Sequence, residues 1–314
     1  MSRGSVVALA GGIGAARFLS GLTRVLAPER ILVIGNTADD AEIHGLHISP
    51  DLDTVTYTLA GWSDPKRGWG IRGDSFRCLE ALGRLGADTW FQLGDRDLAT
   101  HLYRTQRARE GAKLTEITAE ITATLGVRSR IVPMSDDRVR TRIGTPKGEL
   151  EFQTYFVKRR ARDKVLSVRF EGAAEAKPAG GVIEAIAGAA AIILCPSNPF
   201  ISIGPILAVP GIREALQSRR DRVLAISPIV GGRALKGPAA HMMKGMGLRP
   251  AAVEVARLYA DFVSIFVLDE VDKKQAAAVT KLGTRPVVTN TVMRGPRETK
   301  SLARVVVREL GIDA

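Results

Sequence analysis

The feature that most constrains the fold of this chain is a series of short apolar runs, each followed at once by a loop or a helical pattern. The first such helical pattern has Phe18, Leu19, Leu22 and Leu26 on one face. Strand-length runs that alternate with helices are typical of a parallel sheet with helices on both faces. The runs are residues 6–9, 31–34, 191–194, 223–226, 264–267 and 286–288. We therefore predict an α/β protein with a doubly wound, mostly parallel, Rossmann-like sheet.

The middle of the chain has a different pattern. Residues 74–125 show helical spacing, and residues 139–170 show the alternation expected of a β-hairpin region. No low-complexity linker and no repeat of fixed period divides the chain. We predict a single domain, residues 1–314. Its core is residues 1–70 and 175–314, and a helical and β insertion occupies about 71–174.

The charge balance narrows the class of ligand. The net charge is +12, but aromatic residues make up only 5% of the chain. The one dense basic run, residues 158–162, is typical of a solvated loop. Nucleic-acid binding would require a contiguous basic stripe, often with interleaved aromatics, so we do not expect it. An anionic small molecule accounts for the excess charge, because steering needs only a local positive potential.

Cysteine usage and hydropathy indicate an intracellular protein. Cys78 and Cys195 offer neither a disulfide framework nor metal-ligand spacing. The longest apolar region, residues 183–212, is interrupted by four prolines and a glutamate. It therefore contains no uninterrupted span of about 20 apolar residues to cross a membrane, and the N-terminus lacks a signal-peptide pattern. We expect a cytoplasmic protein with no membrane contact.

Four of the predicted strands lead directly into loops suited to polar ligands. In an open parallel sheet, ligands bind at the carboxyl edge of the strands, near the point where strand order reverses. We therefore expect these loops to form one site. They are Gly11-Gly12-Ile13-Gly14, residues 35–40, residues 195–199 and residues 227–232.

The first loop predicts a phosphate cradle. Gly12 and Gly14 allow backbone N–H groups to approach a phosphate at a helix N-terminus. Arg17 stands where a dinucleotide fingerprint has its third glycine, and no acidic residue closes the second strand, so NAD is disfavoured. Arg17 is instead predicted to contact phosphate. The alternative for this loop is a plain tight turn between strand and helix.

The second loop continues into an acidic stretch. Asp39, Asp40, Asp51 and Asp53 fall within 15 residues that lack apolar periodicity. Metal sites that work on phosphates use one or two carboxylates and leave the other positions to substrate oxygens and water. The functional interpretation is a Mg²⁺ ligand or a contact to substrate hydroxyls. The alternative for Asp53 is the N-cap of a helix over residues 54–60.

Two further polar clusters have structural alternatives. In residues 93–101, Asp97 would cap a helix that begins near Leu98, and His101 would be an ordinary helical histidine. Residues 135–138 follow a strand-like run at 131–133 and are compatible with an Asx-turn and a salt bridge.

Taken together, the motifs resemble the 2-phospho-L-lactate transferase family of coenzyme F-420 biosynthesis. Their number, order and spacing carry the resemblance, which extends from residue 6 to about 295. The matching segments are residues 11–17, 36–40, 49–54, 69–76, 93–101, 134–139, 196–199, 202–205 and 227–231.

The resemblance implies a transferase for substituted phosphate groups, of the EC 2.7.8 type. The donor is a guanosine diphosphate ester of 2-phospholactate, or of phosphoenolpyruvate in many bacterial members. The acceptor is the ribityl hydroxyl of the deazaflavin Fo, and GMP leaves. The family requires Mg²⁺, and a homodimer is a reasonable expectation for it.

Residue roles follow from that chemistry, in which charge neutralisation and in-line positioning matter more than covalent catalysis. The catalytic candidates are Asp53, Asp40 and Asp39. The candidates for donor and phosphate binding are Gly11, Gly12, Gly14, Arg17, Asn36, Ser197, Asn198, Ser227 and Gly231. Asp53, Arg96, His101 and Trp69 are predicted to bind the acceptor, with Trp69 equally compatible with the core. The predicted Mg²⁺ ligands are Asp39, Asp40, Asp51 and Asp53.

The main rival interpretation is a regulator of the same fold that binds a nucleotide-sugar or dinucleotide without catalysing this transfer. Such a protein would share the glycine-rich start and the loop at residues 196–199. We would not expect it to carry the motifs at residues 69–76 and 94–101 together.

Overall fold

The computed structural model describes residues 4–313 as a layered α/β arrangement. The strands are β1 (Val6–Ala10), β2 (Ile31–Gly35), β3 (Ala41–Ile43), β4 (Leu46–Ile48), β5 (Arg130–Pro133), β6 (Arg140–Thr145), β7 (Gly148–Glu151), β8 (Ser167–Glu171), β9 (Ala191–Leu194), β10 (Val223–Ile226), β11 (Ile229–Val230), β12 (Arg233–Ala234), β13 (Ile265–Asp269) and β14 (Arg285–Thr289). The α-helices are α1 (Gly12–Leu22), α2 (Pro50–Leu59), α3 (Arg77–Arg84), α4 (Asp95–Arg109), α5 (Leu114–Thr124), α6 (Val182–Gly188), α7 (Gly204–Ala208), α8 (Ile212–Ser218), α9 (Ala239–Gly245), α10 (Ala252–Tyr259), α11 (Ala276–Thr280) and α12 (Pro296–Glu309).

Seven strands form one parallel sheet in the order β14-β13-β10-β9-β1-β2-β5. The chain builds outward from β1 in one direction through β2 and β5, then returns to the other side of β1 through β9. Strand order therefore reverses between β1 and β9, which is the switch point where ligands bind in doubly wound folds. The predicted α/β, Rossmann-like class is confirmed.

The alternation of side chains along β1 explains why this strand lies at the centre. Val7 and Leu9 belong to the core on one face of the sheet, whereas Val6, Ala8 and Ala10 belong to the core on the other. All five residues are fully buried. Continuously apolar strands of this kind are expected where helices cover both faces.

Helix α1 covers one face of the sheet, as its apolar stripe predicts. Phe18, Leu19 and Leu22 are buried in the same core as Leu302 and Val306 of α12. Gly21 lies at the contact between the two helices, where a Cβ would collide with the backbone carbonyl of Thr299. The close approach of α1 to α12 therefore requires glycine at this position.

The middle of the chain does contain the expected helices and antiparallel strands. Helices α3, α4 and α5 precede a three-stranded antiparallel sheet of order β7-β6-β8. One element departs from the sequence prediction: β5, within the stretch counted as insertion, is the edge strand of the central sheet and pairs with β2. Its last residue is Pro133, which has no backbone N–H. An edge strand tolerates proline because its outer side forms no hydrogen bonds to another strand.

Among residues 4–313, no single helix is long and apolar enough to cross a membrane. The segments Pro199–Ala208 and Ile212–Ser218, bent by 89° at the break between them, meet the length and composition requirement only as a pair.

The contact between α1 and α12 predicts an unusual response to alanine. Alanine normally stabilises a helix relative to glycine by about 1 kcal/mol, but Gly21→Ala should destabilise this protein by about 1–3 kcal/mol because the added methyl group overpacks the interface. Gly188→Ala in α6 is the matched control, since no atom lies within 4 Å of its Cβ position. The free energies of unfolding in urea compare the two, and equal effects would contradict the packing argument.

Candidate active site

Two loops meet across the switch point. The backbone N–H of Gly11 donates to Ser197 Oγ (3.3 Å), and Ser197 Oγ donates to the Gly11 carbonyl (2.9 Å). A Cβ on Gly14 would collide with the Pro196 carbonyl oxygen. The glycine-rich turn after β1 is therefore held against the loop after β9, and its glycines are required by close backbone contact.

The first acidic loop is attached to the same turn through Asp51. Asp51 Oδ1 accepts a hydrogen bond from the Gly12 N–H (2.8 Å), and its Oδ2 accepts one from Asn36 Nδ2 (2.9 Å). Asn36 also donates to the Ile201 carbonyl (3.0 Å) and accepts from the Ala38 N–H (3.0 Å). Gly12 has a φ of +73°, the left-handed region that favours glycine.

These loops open onto a cavity of about 490 Å³ at the carboxyl edge of the sheet. Most of the predicted site residues line it: Gly11, Gly12, Gly14, Arg17, Asp39, Asp51, Asp53, Trp69, His101, Ser197, Asn198 and Ser227. Within residues 4–313, three cationic side chains that form no ion pair with an acidic residue also line the cavity: Arg17, Arg67 and Lys236. An anionic ligand would satisfy them.

Two members of the acidic loop have different surroundings. Asp40 accepts hydrogen bonds from Ser49 Oγ (2.8 Å) and binds His47 Nε2 (2.8 Å), and it does not line the cavity. Asp39 does line the cavity, is 5% exposed, and its Oδ1 has no hydrogen-bond partner. Asp40 is thus internally satisfied, whereas Asp39 lacks a partner for one buried oxygen.

Asp39 and Asp51 have no cationic partner in the part of the chain that the structure describes, and the pKa of each is raised. Burial raises the pKa of Asp39 well above its ordinary value, and the neighbouring charge of Asp51 raises it further. Burial also raises the pKa of Asp51, to about 7, against the opposing effect of its hydrogen bond from Asn36. A cation between these groups would favour both carboxylates in their charged form.

The opposite wall of the cavity consists of one face of α2 and one face of α4. Asp53 and Tyr57 are four residues apart on α2, and Asp97, His101 and Arg104 follow helical spacing on α4. Both oxygens of Asp53 accept from the guanidinium of Arg104, and Tyr57 donates to Asp97 Oδ1 (2.7 Å). All five side chains are buried.

Sequence reasoning missed Arg104 and Tyr57 as parts of this wall. Helical spacing could have indicated both residues, because each lies one turn after a residue that the sequence analysis selects. Tyr57 is one turn after Asp53, and Arg104 is one turn after His101. The spacing becomes informative only when α2 and α4 are known to face each other.

Several predicted site residues have other roles. Asn36, Asp40, Arg96 and Gly231 do not line the cavity. Arg96 was predicted to face the acceptor, but its guanidinium lies over the ring of Trp62, 5.0 Å from the centroid. The Gly231 N–H donates to Asp272 (2.9 Å). Asn36 positions Asp51, because each of its polar atoms already has a partner in the protein.

The alternative interpretations of Asp53 and Asp97 as helix N-caps are both wrong. Helix α2 begins at Pro50, so Asp53 lies within the helix and is not its N-cap. Helix α4 begins at Asp95, and its first N–H groups are satisfied by Asp74, which accepts from Arg96 N (2.9 Å) and Asp97 N (3.1 Å). Asp53 and Asp97 are thereby left to face the cavity.

The predicted set of four metal-binding carboxylates is not assembled. No group of three or more His, Cys, Asp or Glu side chains within residues 4–313 has the arrangement of a metal site. Asp40 is engaged by Ser49 and His47, and Asp53 is engaged by Arg104. At the cavity, the carboxylates of Asp39 and Asp51 are the ones that no cationic side chain among residues 4–313 contacts.

The polar residues of the later loops are partly committed to the protein. Asn198 Oδ1 accepts from Phe200 N (2.9 Å) and Ile201 N (3.4 Å), which caps the π-helical segment Pro199–Ile203. Ser227 Oγ donates to the Ile229 carbonyl (2.9 Å). Their backbone atoms and remaining donors are the groups available to a ligand.

The cluster at residues 135–138 is structural. Asp136 accepts from the N–H and hydroxyl of Thr115 at the start of α5, both at 2.8 Å. The Asp137 N–H donates to Ser135 Oγ (3.0 Å), and the Asp137 carboxylate accepts from Lys177 N (2.8 Å). The cluster does form a turn, but the side chain that caps it is Ser135 and not an aspartate, so the predicted Asx-turn is wrong. Contacts to Thr115 and to the Lys177 backbone replace the expected salt bridge.

The fold and the cavity define a Rossmann-like α/β protein that has, at its switch point, a glycine-rich turn and two carboxylates without a cationic partner among the residues described, 4–313. A solved structure, a member of the upf0052 family from Bacillus halodurans, has a similar fold: the TM-score is 0.64 at 17% identity, covering 98% of this chain and 99% of that one.

The sequence comparisons are more specific. The family model for 2-phospho-L-lactate transferase CofD matches residues 6–307. A 2-phospho-L-lactate transferase of Methanosarcina mazei is 39% identical over 96% of this chain and 99% of its own length. A phosphoenolpyruvate transferase of Streptomyces griseus is 42% identical over 95% and 96%, respectively. The chain belongs to the 2-phospho-L-lactate transferase CofD family.

The raised pKa of Asp39 predicts a pH-dependent effect of its replacement. Because folding raises the pKa of this carboxyl, its ionisation lowers stability as the pH rises through the folded-state value. Asp39→Asn should therefore raise the melting temperature of the metal-free protein at pH 8, with a smaller gain at pH 5. Asp64→Asn should change stability in the opposite direction, because backbone hydrogen bonds lower the pKa of Asp64.

Thermal unfolding in EDTA across this pH range tests both variants. A gain for Asp39→Asn that is independent of pH would contradict the electrostatic explanation.

Proposed function

We propose that this protein transfers a 2-phospholactyl or enolpyruvyl-phosphate group from its guanosine diphosphate ester to the ribityl hydroxyl of the deazaflavin Fo, with release of GMP. The observation that carries the proposal is the junction of the glycine-rich turn with Asp39 and Asp51 at the switch point. Backbone N–H groups at the start of α1 suit an anionic phosphate, and the adjacent carboxylates suit a cation bound to it.

The donor diphosphate fits the turn after β1. Gly12 leaves space for close backbone approach, and Arg17 lines the same cavity without an acidic partner among residues 4–313. Transfer at a diphosphate requires that the charge on its oxygens be neutralised and that the attacking and leaving oxygens be in line. Arg17 and the N–H groups that follow Gly12 supply part of that charge compensation, since the Gly11 and Gly12 N–H groups already donate to Ser197 and Asp51.

The residues present fit a Mg²⁺ ion with few protein ligands. Asp39 has a buried oxygen without a hydrogen-bond partner in the described range, residues 4–313. Asp51, at the start of α2, is close enough for its charge to raise the pKa of Asp39. In this arrangement two carboxylates bind the ion, and diphosphate oxygens and water fill its other coordination positions. This is how Mg²⁺ is held at phosphate-transfer sites. When bound, the ion would polarise the attacked phosphorus and favour departure of GMP.

The acceptor fits the wall formed by α2 and α4. Trp69 and Phe91 supply apolar surface for a planar ring, and His101 lies deeper in the same wall. Asp53 remains within the cavity, so the acceptor hydroxyl can approach its carboxylate. Asp53 is paired with Arg104, so we assign it to orienting that hydroxyl.

The direct test is transfer by the purified protein. With Fo, the guanosine diphosphate ester of either three-carbon acid and Mg²⁺, we expect GMP and a phosphodiester of Fo, and mass spectrometry of the first product identifies the preferred acid. Binding of nucleotide without formation of either product would instead support a ligand-binding regulator of the same fold.

The carboxylates at the turn should be essential. Asp39→Asn and Asp51→Asn should each lower kcat by about 100-fold or more, as expected when one charge-stabilising group is removed from a transfer site. Asp221→Asn is the control, because Asp221 is exposed and precedes β10, at the opposite edge of the sheet. Retention of full activity by Asp39→Asn would contradict the proposed metal site.

Arg17 should act on the donor. Arg17→Ala should weaken binding of GDP by about 10-fold, the usual effect of losing one charge-assisted hydrogen bond, and should change Fo binding less. Arg24→Ala, on the exposed surface shortly after the same helix, should change neither. Calorimetric titration measures the four affinities, and equal losses for both ligands would contradict a phosphate contact.

A further inference from the structure

The wall between α2 and α4 contains a histidine with an unusual pair of neighbours. His101 is 1% exposed and lies between the guanidinium of Arg104 and the carboxylate of Asp97. Its Nδ1 is 3.2 Å from Arg104 Nη1, and its Nε2 is 3.3 Å from Asp97 Oδ1. The two ring nitrogens therefore face groups of opposite character.

The contact with Arg104 determines where the ring carries its proton. A guanidinium has only donors, so it can bind Nδ1 only when that nitrogen is an acceptor. A neutral imidazole that accepts at Nδ1 has its hydrogen on Nε2. This contact therefore favours the Nε2–H tautomer of His101.

The orientation of Arg104 is set by other contacts. Both of its terminal nitrogens donate to Asp53, and Nη1 also lies 3.3 Å from the His47 carbonyl oxygen. Arg104 is 2% exposed, and Asp53 is 5% exposed. A bidentate pair in a buried site fixes the plane of the guanidinium. One Nη1 hydrogen is directed to Asp53, and the other is shared between the His47 carbonyl oxygen and His101 Nδ1.

The Nε2 atom of His101 has no well-formed hydrogen bond to any of residues 4–313. Asp97 Oδ1 lies 3.3 Å from it, but that oxygen already accepts a hydrogen bond from Tyr57 at 2.7 Å. His101 lines the cavity. A buried donor without a partner is costly, and an oxygen of a bound substrate would satisfy it.

We infer that Arg104 is a positioning residue, which fixes His101 as a hydrogen-bond donor, through Nε2–H, to an oxygen of the bound substrate. His101 transfers no proton in this role, and Arg104 acts on the substrate through His101 in addition to its pairing with Asp53. The inference rests on the proposed transferase function, within which it distinguishes a fixed donor from a general base at this position. The oxygen belongs either to the acceptor hydroxyl or to the donor phosphate.

Substitutions of His101 separate the two roles. The amide nitrogen of Gln can replace Nε2–H, whereas the shorter Asn cannot reach the same point. We expect His101→Gln to keep kcat within about 10-fold of the unsubstituted protein, and His101→Asn and His101→Ala to lose about 100-fold or more, the usual cost of one lost donor. His241→Gln, at a surface site bonded to the Asp163 carbonyl, should have no effect.

Calorimetry with GDP and with Fo as separate probes identifies the source of the oxygen. Weaker binding of Fo by His101→Asn assigns the contact to the acceptor, and weaker binding of GDP assigns it to the donor. A general base would give a different result: His101→Gln would be as inactive as His101→Ala, and that result would overturn the inference.

A double-variant cycle tests Arg104. Lysine keeps the charge but cannot bind Asp53 at two points and His101 together, so Arg104→Lys should lower kcat with little change in KM. In the His101→Gln background the same substitution should cost less than it does in the unsubstituted protein, because the part of its effect that passes through His101 is already lost and the losses are then non-additive. Independent, additive losses would contradict the positioning role.

Nitrogen-15 NMR of labelled histidines tests the tautomer without any activity. The signal absent from His101→Gln identifies His101, and its two-bond couplings should show hydrogen on Nε2. Hydrogen on Nδ1 would overturn the inference even in an active enzyme. If the protein transfers no group to Fo but shows the Nε2–H tautomer, the proposed function fails while the Arg104 contact stands.

Discussion

The contact between the turn after β1 and the loop after β9 is the constraint on which the rest of the site depends. Gly11 and Ser197 exchange two hydrogen bonds across the point where strand order reverses, and Gly14 packs against the Pro196 carbonyl. Any side chain at Gly14 would separate the two loops. Because the same turn binds Asp51 through the Gly12 N–H, this one close approach also sets the position of the acidic loop.

The balance of charge distinguishes the carboxylates of the cavity. Asp53 is ion-paired with Arg104, and Asp40 is hydrogen-bonded to Ser49 and His47, so both carboxylates find partners within the protein. Among residues 4–313, Asp39 and Asp51 have no cationic partner. Burial raises the pKa of Asp39, Asp51 and Asp53, but only that of Asp53 is opposed by an arginine. Charges that the fold leaves uncompensated mark where a ligand completes the site. This is the physical reason why two of the four predicted metal ligands retain that role in the proposal.

The sequence predicted the sheet well because strand signals are local. Apolar runs such as residues 6–10 and 191–194 are buried on both faces, so their composition alone identifies them. It also predicted that the following loops lie together, since carboxyl ends of parallel strands share one edge. It did not predict that β5 would join the central sheet, because strand pairing depends on contacts between residues about 100 positions apart in the chain.

For the residues of the site, too, the sequence predicted local features and the fold decided long-range contacts. The sequence by itself determined the residue types at the edge of the sheet, including Gly12, Asp39, Asp51 and His101. Only the tertiary structure decided their roles: it directed Arg96 onto Trp62, satisfied Asn36 and Asp40 internally, and brought Arg104 to Asp53 and His101. The physical reason is that a side chain's function depends on which of its polar atoms remain unpaired, and pairing between α2 and α4 has no signature within either helix.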